Sequence, residues 1–85
     1  MKILVLPRFI KQYKRLPVEI RKLASEKETV FRKNPFDSQL KTHRLRGNFE
    51  GFWSFSIHYK YRIIFEFADE ETAIFYSIGT HQIYE

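Results

Sequence analysis

The 85-residue chain carries fifteen Lys and Arg against ten Asp and Glu, a net charge of +5, and 44% of it is hydrophobic, with nine Phe, five Tyr and one Trp. That length fits one domain rather than two, and the aromatic bulk supports a packed core, which excludes a disordered chain. The lack of cysteine excludes disulfides, thiolate catalysis and cysteine zinc sites, and the basic balance makes a polyanion, nucleic acid first, the partner to consider.

The apolar run Ile3 to Leu6, ended by Pro7, reads as a short buried strand. Four apolar residues fall far short of a signal-peptide core or a spanning helix of about 20 residues, so no membrane contact and a cytoplasmic location are expected. Pro7 suits the first turn of a helix in "PRFIKQYKRL", where Phe9, Tyr13 and Leu16 share a face beside Ile10. Pro17 closes that helix and opens a second, in which Ile20, Leu23, Ala24 and Phe31 keep helical spacing. Glu19 near its start and Arg32 and Lys33 near its end suit the helix dipole, and Asn34-Pro35 stops it. The two closely joined helices read as an antiparallel hairpin.

From Asn34 to Gly51 the helical period is lost, and Asn34-Pro35, Gly47-Asn48 and Gly51 mark a connecting segment carrying Lys41, His43, Arg44 and Arg46. After Gly51 the period becomes two. Trp53, Phe55, Ile57 and Tyr59 are expected on one face of a half-exposed strand, with Ser54, Ser56, His58 and Lys60 on the other. In "YRIIFEF", Tyr61, Ile63, Phe65 and Phe67 share a face, which turns Arg62, Ile64 and Glu66 away from the main apolar row. "ADEE" is a polar turn and "TAIFYSIG" a last strand, released by Gly79 into "THQIYE". The order β-α-α-β-β-β implies a compact α+β domain over residues 1–85, with a mostly antiparallel sheet and both N-terminal helices packed on one face. The opposite face is left for water or a partner.

The carboxylates are scattered and the histidines lack a metal-binding spacing, so no metal site and no cofactor are expected; no phosphate-binding glycine loop or nucleophile elbow is present either. What remains is a basic, aromatic surface with His43, His58, Arg62, His81 and Tyr84. Metal-free RNA cleavage needs such a set: a base for the ribose 2′-hydroxyl, a cation for the developing phosphorane charge and an acid for the leaving 5′ oxygen. Histidine can fill either proton-transfer role, arginine holds a phosphate through two donors, and a tyrosine ring can stack on an unpaired base.

The stretches "LRGNFEGFWS", "YRIIFEF" and the closing "GTH..Y", in this order and spacing, resemble the RelE/ParE superfamily of bacterial toxins, and within it the ribosome-associated mRNA endonucleases of the RelE, YoeB and YafQ type. The likeness covers nearly the whole chain. It implies the compact RelE-like fold, cleavage of mRNA in the ribosomal decoding site without metal, and restraint by a cognate antitoxin in a toxin–antitoxin hetero-oligomer. It also assigns roles: Arg62 falls on the strand arginine that contacts the scissile phosphate, and His43 on the base, a glutamate in YoeB-like members and a histidine in YafQ-like ones. His81 falls on the C-terminal catalytic position, and Tyr84 lies near the terminal aromatic. Ser77, where some relatives carry a further arginine, Lys60, which replaces an acidic residue of the YafQ pattern, and the three-residue step from His81 to Tyr84 depart from the family.

Several of these residues also have plainer readings. His58 reads as a bystander on an exposed strand face or in a turn, Arg62 pairs with Glu66 on its own strand in the plain alternative, and Trp53, Phe55, Ile57, Phe65 and Phe67 are core by their period. Lys41, Arg44, Arg46 and Lys60 are auxiliary RNA-binding candidates, attracting phosphates at long range. Two other functions share the expected fold: a ParE-like poison of DNA gyrase, and a non-catalytic binding domain.

Overall fold

The computed structural model describes residues 1–80. Along the chain, β1 spans Lys2–Val5, α1 Pro7–Lys14, α2 Val18–Lys33, β2 His43–Arg44, β3 Trp53–Ser56, β4 Arg62–Asp69 and β5 Thr72–Gly79, with short 3-10 turns at Ser38–Leu40 and Gly47–Phe49. The prolines set the helix boundaries. Leu6 is extended and Pro7 occupies the first helical position, where its missing N–H costs nothing. Pro17, with φ −54° and ψ 148°, is the N-cap of α2. At the other end Asn34 is held extended by the following Pro35, and its side-chain oxygen accepts the Phe36 N–H at 3.0 Å. No helix among the described residues is long and apolar enough to cross a membrane.

The five strands form one sheet in the order β1-β5-β4-β3-β2, antiparallel except for the parallel pair of β1 and β5. The helices lie over one face, and the core between is aromatic. Phe31 of α2 sits 5.0 Å from the rings of Phe55 and Phe65 and 5.3 Å from Phe75, and all four rings are sealed from solvent. Burying each such ring contributes roughly 1.5–3 kcal/mol. The order β-α-α-β-β-β is as read from the sequence, with the two-residue strand β2 added at the edge.

The faces differ from expectation in two places. Tyr59, expected in phase with Trp53, Phe55 and Ile57, is 86% exposed, because β3 stops at Ser56 and the chain then reverses. In that reversal the Tyr61 N–H donates to the His58 carbonyl at 3.1 Å and the Ile57 N–H to the Tyr61 carbonyl at 2.9 Å, so the alternation of aromatics continues through a turn in which it has no structural meaning. Ser54, expected exposed, is fully buried on the helix-free face in one row with the buried Ile64 and Ser77.

A bulge in β5 contributes to that burial. Ile64 pairs with Ser77 and Phe65 with Phe75, which leaves Tyr76 as an extra residue. Tyr76 and Ser77 therefore both serve the helix-free face, while Phe75 and Ile78 stay in the core. The Phe52 ring packs edge-on against Tyr76 at 4.8 Å.

Candidate functional site

Lys41 ends the first 3-10 turn in the left-handed region, at φ 52°. A residue with a Cβ adopts this conformation at a cost of about 1 kcal/mol. It turns the Lys41 carbonyl to within 3.0 Å of His43 Nδ1. A carbonyl can only accept, so Nδ1 carries the proton of this bond and the neutral ring keeps its lone pair on Nε2. His43 is exposed on the edge strand β2, so Nε2 is free to take a proton from a ligand.

Strand register then places His43 relative to Arg62. His43 pairs with Ser54 and Ser54 with Ile64, while Ser56, Arg62 and Gly79 form the next row on the same face. Two strand spacings and a two-residue offset separate the two Cα atoms by about 12 Å, a gap that side chains reaching inward can bridge across a ribose and its phosphate. Arg44 goes the other way. It pairs with Trp53 and lays its guanidinium over the indole, 5.5 Å from the ring centre, on the helix side of the sheet.

Arg62 opens into a cavity of about 430 Å³, which Lys27 of α2, Gln39 and Lys41 after it, and His58 and Tyr59 of the β3–β4 turn also line. Among the described residues no acidic side chain lines it and Arg62 has no ion-pair partner. The plain alternative for Arg62 is not realised, because Glu66 accepts the Tyr76 hydroxyl at 2.9 Å. That bond to Glu66, with burial and the carboxylate charge, raises the Tyr76 phenol above its ordinary pKa. Among the described residues this makes a positive field without a neutralising carboxylate, which favours a bound anion.

Of the residues singled out in the sequence, the structure brings Arg62 and Lys41 into one cavity. His43, Arg44 and Arg46 line a second one, with Gly47, Glu50 and Gly51. Lys60 is exposed in the turn and lines neither. His81 and Tyr84 lie outside the described residues. Lys27, Gln39 and Tyr59 were missed, and His58, read as a bystander, faces the cavity. The four-residue reversal "HYKY" carries His58 and Tyr59: the turn expected as one position for His58 is there, while the strand alternation expected for Tyr59 is not. Nothing in the sequence points from α2 to Arg62. Among the described residues no three His, Asp or Glu side chains converge as metal ligands.

No family model and no curated protein matches the sequence. Solved structures do match the backbone. The YoeB/ParE toxin from Agrobacterium tumefaciens aligns with TM-score 0.80 at 18% identity, over 95% of this chain and 99% of that one. YafQ from E. coli strain BL21(DE3) aligns at 0.77 and 18%, over 98% and 96%. The YoeB–YefM complex from Staphylococcus aureus aligns at 0.77 and 20%, over 95% and 97%. The fold is that of the RelE/YoeB-like toxins. Coverage of 95–98% of this chain and 96–99% of the other means that the RelE-like fold accounts for nearly the whole chain. It puts the cationic cavity at the β3–β4 turn and His43 on the sheet edge.

Proposed function

We propose that this protein is the toxin of a type II toxin–antitoxin pair and an endoribonuclease that cleaves mRNA on the ribosome without a metal ion. The observation that carries the reading is the cavity around Arg62, lined among the described residues by Lys27, Lys41 and His58 and by no acid, on a RelE-like fold. In the reaction His43 Nε2 removes the 2′-hydroxyl proton and O2′ attacks phosphorus. The P–O5′ bond then breaks, and O5′ leaves with a proton from an acid. The products are a 2′,3′-cyclic phosphate and a 5′-hydroxyl end. Arg62 clamps the phosphate, and Lys27 and Lys41 offset the charge that builds on its oxygens, the compensation a metal supplies in other nucleases. His81, two residues beyond the Gly79 that pairs with Arg62, is assigned as the acid or a second stabiliser, and Tyr84 as the base-stacking or orienting group.

Induction in bacterial cells followed by mapping of RNA ends tests this reading. Wild type is expected to produce new 5′-hydroxyl ends within translated messages, and Arg62→Ala or His43→Ala to lower them by two orders of magnitude or more. Purified protein is expected to cut a short RNA in excess EDTA. Growth arrest with intact messages would refute the proposal.

The antitoxin is expected to bring an acidic, amphipathic segment. A third cavity, of about 320 Å³, opens between α1 and α2, lined by Phe9, Ile10, Tyr13, Ala24 and Phe75 together with Lys14, Arg21 and one acid, Glu28. The Arg21 Nε is buried there with no hydrogen-bond partner among the described residues, and Val5 and Ile10 remain exposed beside it. An apolar side chain next to a carboxylate would satisfy both features.

A further inference from the structure

We propose that Tyr59 and Gln39 form a subsite for one unpaired nucleobase, next to the phosphate position at Arg62. The inference rests on the RNA-cleavage reading and adds to it how the substrate strand is held and read. Tyr59 is the most exposed large hydrophobic side chain of the described residues, at 86%, and its ring stacks on no other aromatic ring among them. The fold does not need it. The turn that carries it is closed by backbone bonds alone, between Tyr61 and His58 and between Ile57 and Tyr61. A ring held in water on a tight turn, beside a cavity lined by cations, offers a flat apolar face at little cost in side-chain freedom. A single-stranded nucleic acid with its phosphate on Arg62, Lys27 and Lys41 meets that face with the adjoining base.

Gln39 supplies what stacking lacks. Its backbone N–H is bound by the Asp37 carboxylate at 2.9 Å, which fixes the 3-10 turn. Gln39 lines the same cavity, and its side-chain amide makes no hydrogen bond among the described residues. A carboxamide presents a donor beside an acceptor, the pattern that pairs with a base edge and tells one base from another. The volume of about 430 Å³ lies in the range of small-ligand sites, enough for a base and its phosphate together.

Fluorescence anisotropy on the full chain tests this, using fluorescein-labelled 2′-O-methyl hexamers of A, C and U, which bind but cannot be cut. Tyr59→Ala is expected to weaken every hexamer about tenfold and Tyr59→Phe to restore affinity. Gln39→Leu is expected to keep average affinity while collapsing the spread among the three hexamers. Thermal melts at wild-type temperature for all three variants exclude misfolding. Tyr59→Ala binding within twofold of wild type, while Arg62→Ala binds weakly, overturns the subsite and leaves the nuclease reading standing. Wild type binding no hexamer overturns both. Loss of a protein partner by Tyr59→Ala with hexamer affinity intact assigns the ring to that partner and overturns the subsite.

Discussion

The cavity around Arg62 makes a quantitative prediction about salt. Three cationic side chains, from Lys27, Lys41 and Arg62, line it without an acid among the described residues. Each cationic side chain that neutralises charge on a single strand and so releases a counterion contributes about −0.7 to the slope of log K against log salt, so these three contribute about −2.1. Raising salt from 50 to 200 mM then weakens binding about 20-fold through this cavity alone, and about sevenfold once Arg62→Ala leaves two contacts. Anisotropy titrations of a 2′-O-methyl RNA at four salt concentrations measure the slope. Lys27→Ala, Lys41→Ala and Arg62→Ala are each expected to make it shallower by about 0.7. Lys11→Ala, on the exposed face of α1, is expected to leave it unchanged. The decisive residue is Lys27, because only the cavity connects it to the others. A Lys27→Ala slope equal to wild type, with a changed slope in Arg62→Ala, would refute the argument that the three cations share one phosphate path.

The strained Lys41 backbone predicts that Lys41→Gly stabilises the fold by about 1 kcal/mol, a rise of several degrees in Tm, while weakening RNA binding as Lys41→Ala does. The raised pKa of Tyr76 comes first from its bond to Glu66, so its stabilising contribution is complete below pH 10 and is lost as pH rises through the higher folded value. Absorbance of phenolate should show one tyrosine titrating late, and Tyr76→Phe should remove it at a cost of about 1 kcal/mol in urea melts. Ile10→Glu, which puts a carboxylate on the apolar cavity between the helices, should lower co-purification of the antitoxin at least tenfold and leave RNA cleavage unchanged.

The fold was legible wherever one residue's neighbours along the chain decide its fate. Pro7 and Pro17 bound the helices because a proline ring constrains its own φ and removes its own N–H, facts independent of the rest of the molecule. The outward phase of Arg62 followed from Tyr61, Ile63, Phe65 and Phe67, since a pleated strand turns alternate residues to opposite faces. The bulge at Tyr76 was not legible, because its register is set by what β4 presents opposite. Strand β2 has only two residues, too few for any period, and exists because β3 offers it an edge.

The site divides along the same line. Arg62 and His43 could be nominated from residue type and resemblance, but the proton arrangement on His43 could not. It depends on where the Lys41 carbonyl points, and that is fixed by a positive φ at a residue type that rarely adopts one. One residue thus serves both halves of the proposed chemistry. The Lys41 main chain sets the tautomer of the base, while its side chain lines the cavity of the phosphate clamp. Such a double duty accounts for strain being retained where a glycine would relieve it: a glycine could keep the carbonyl direction, but it would delete the ammonium from the cavity.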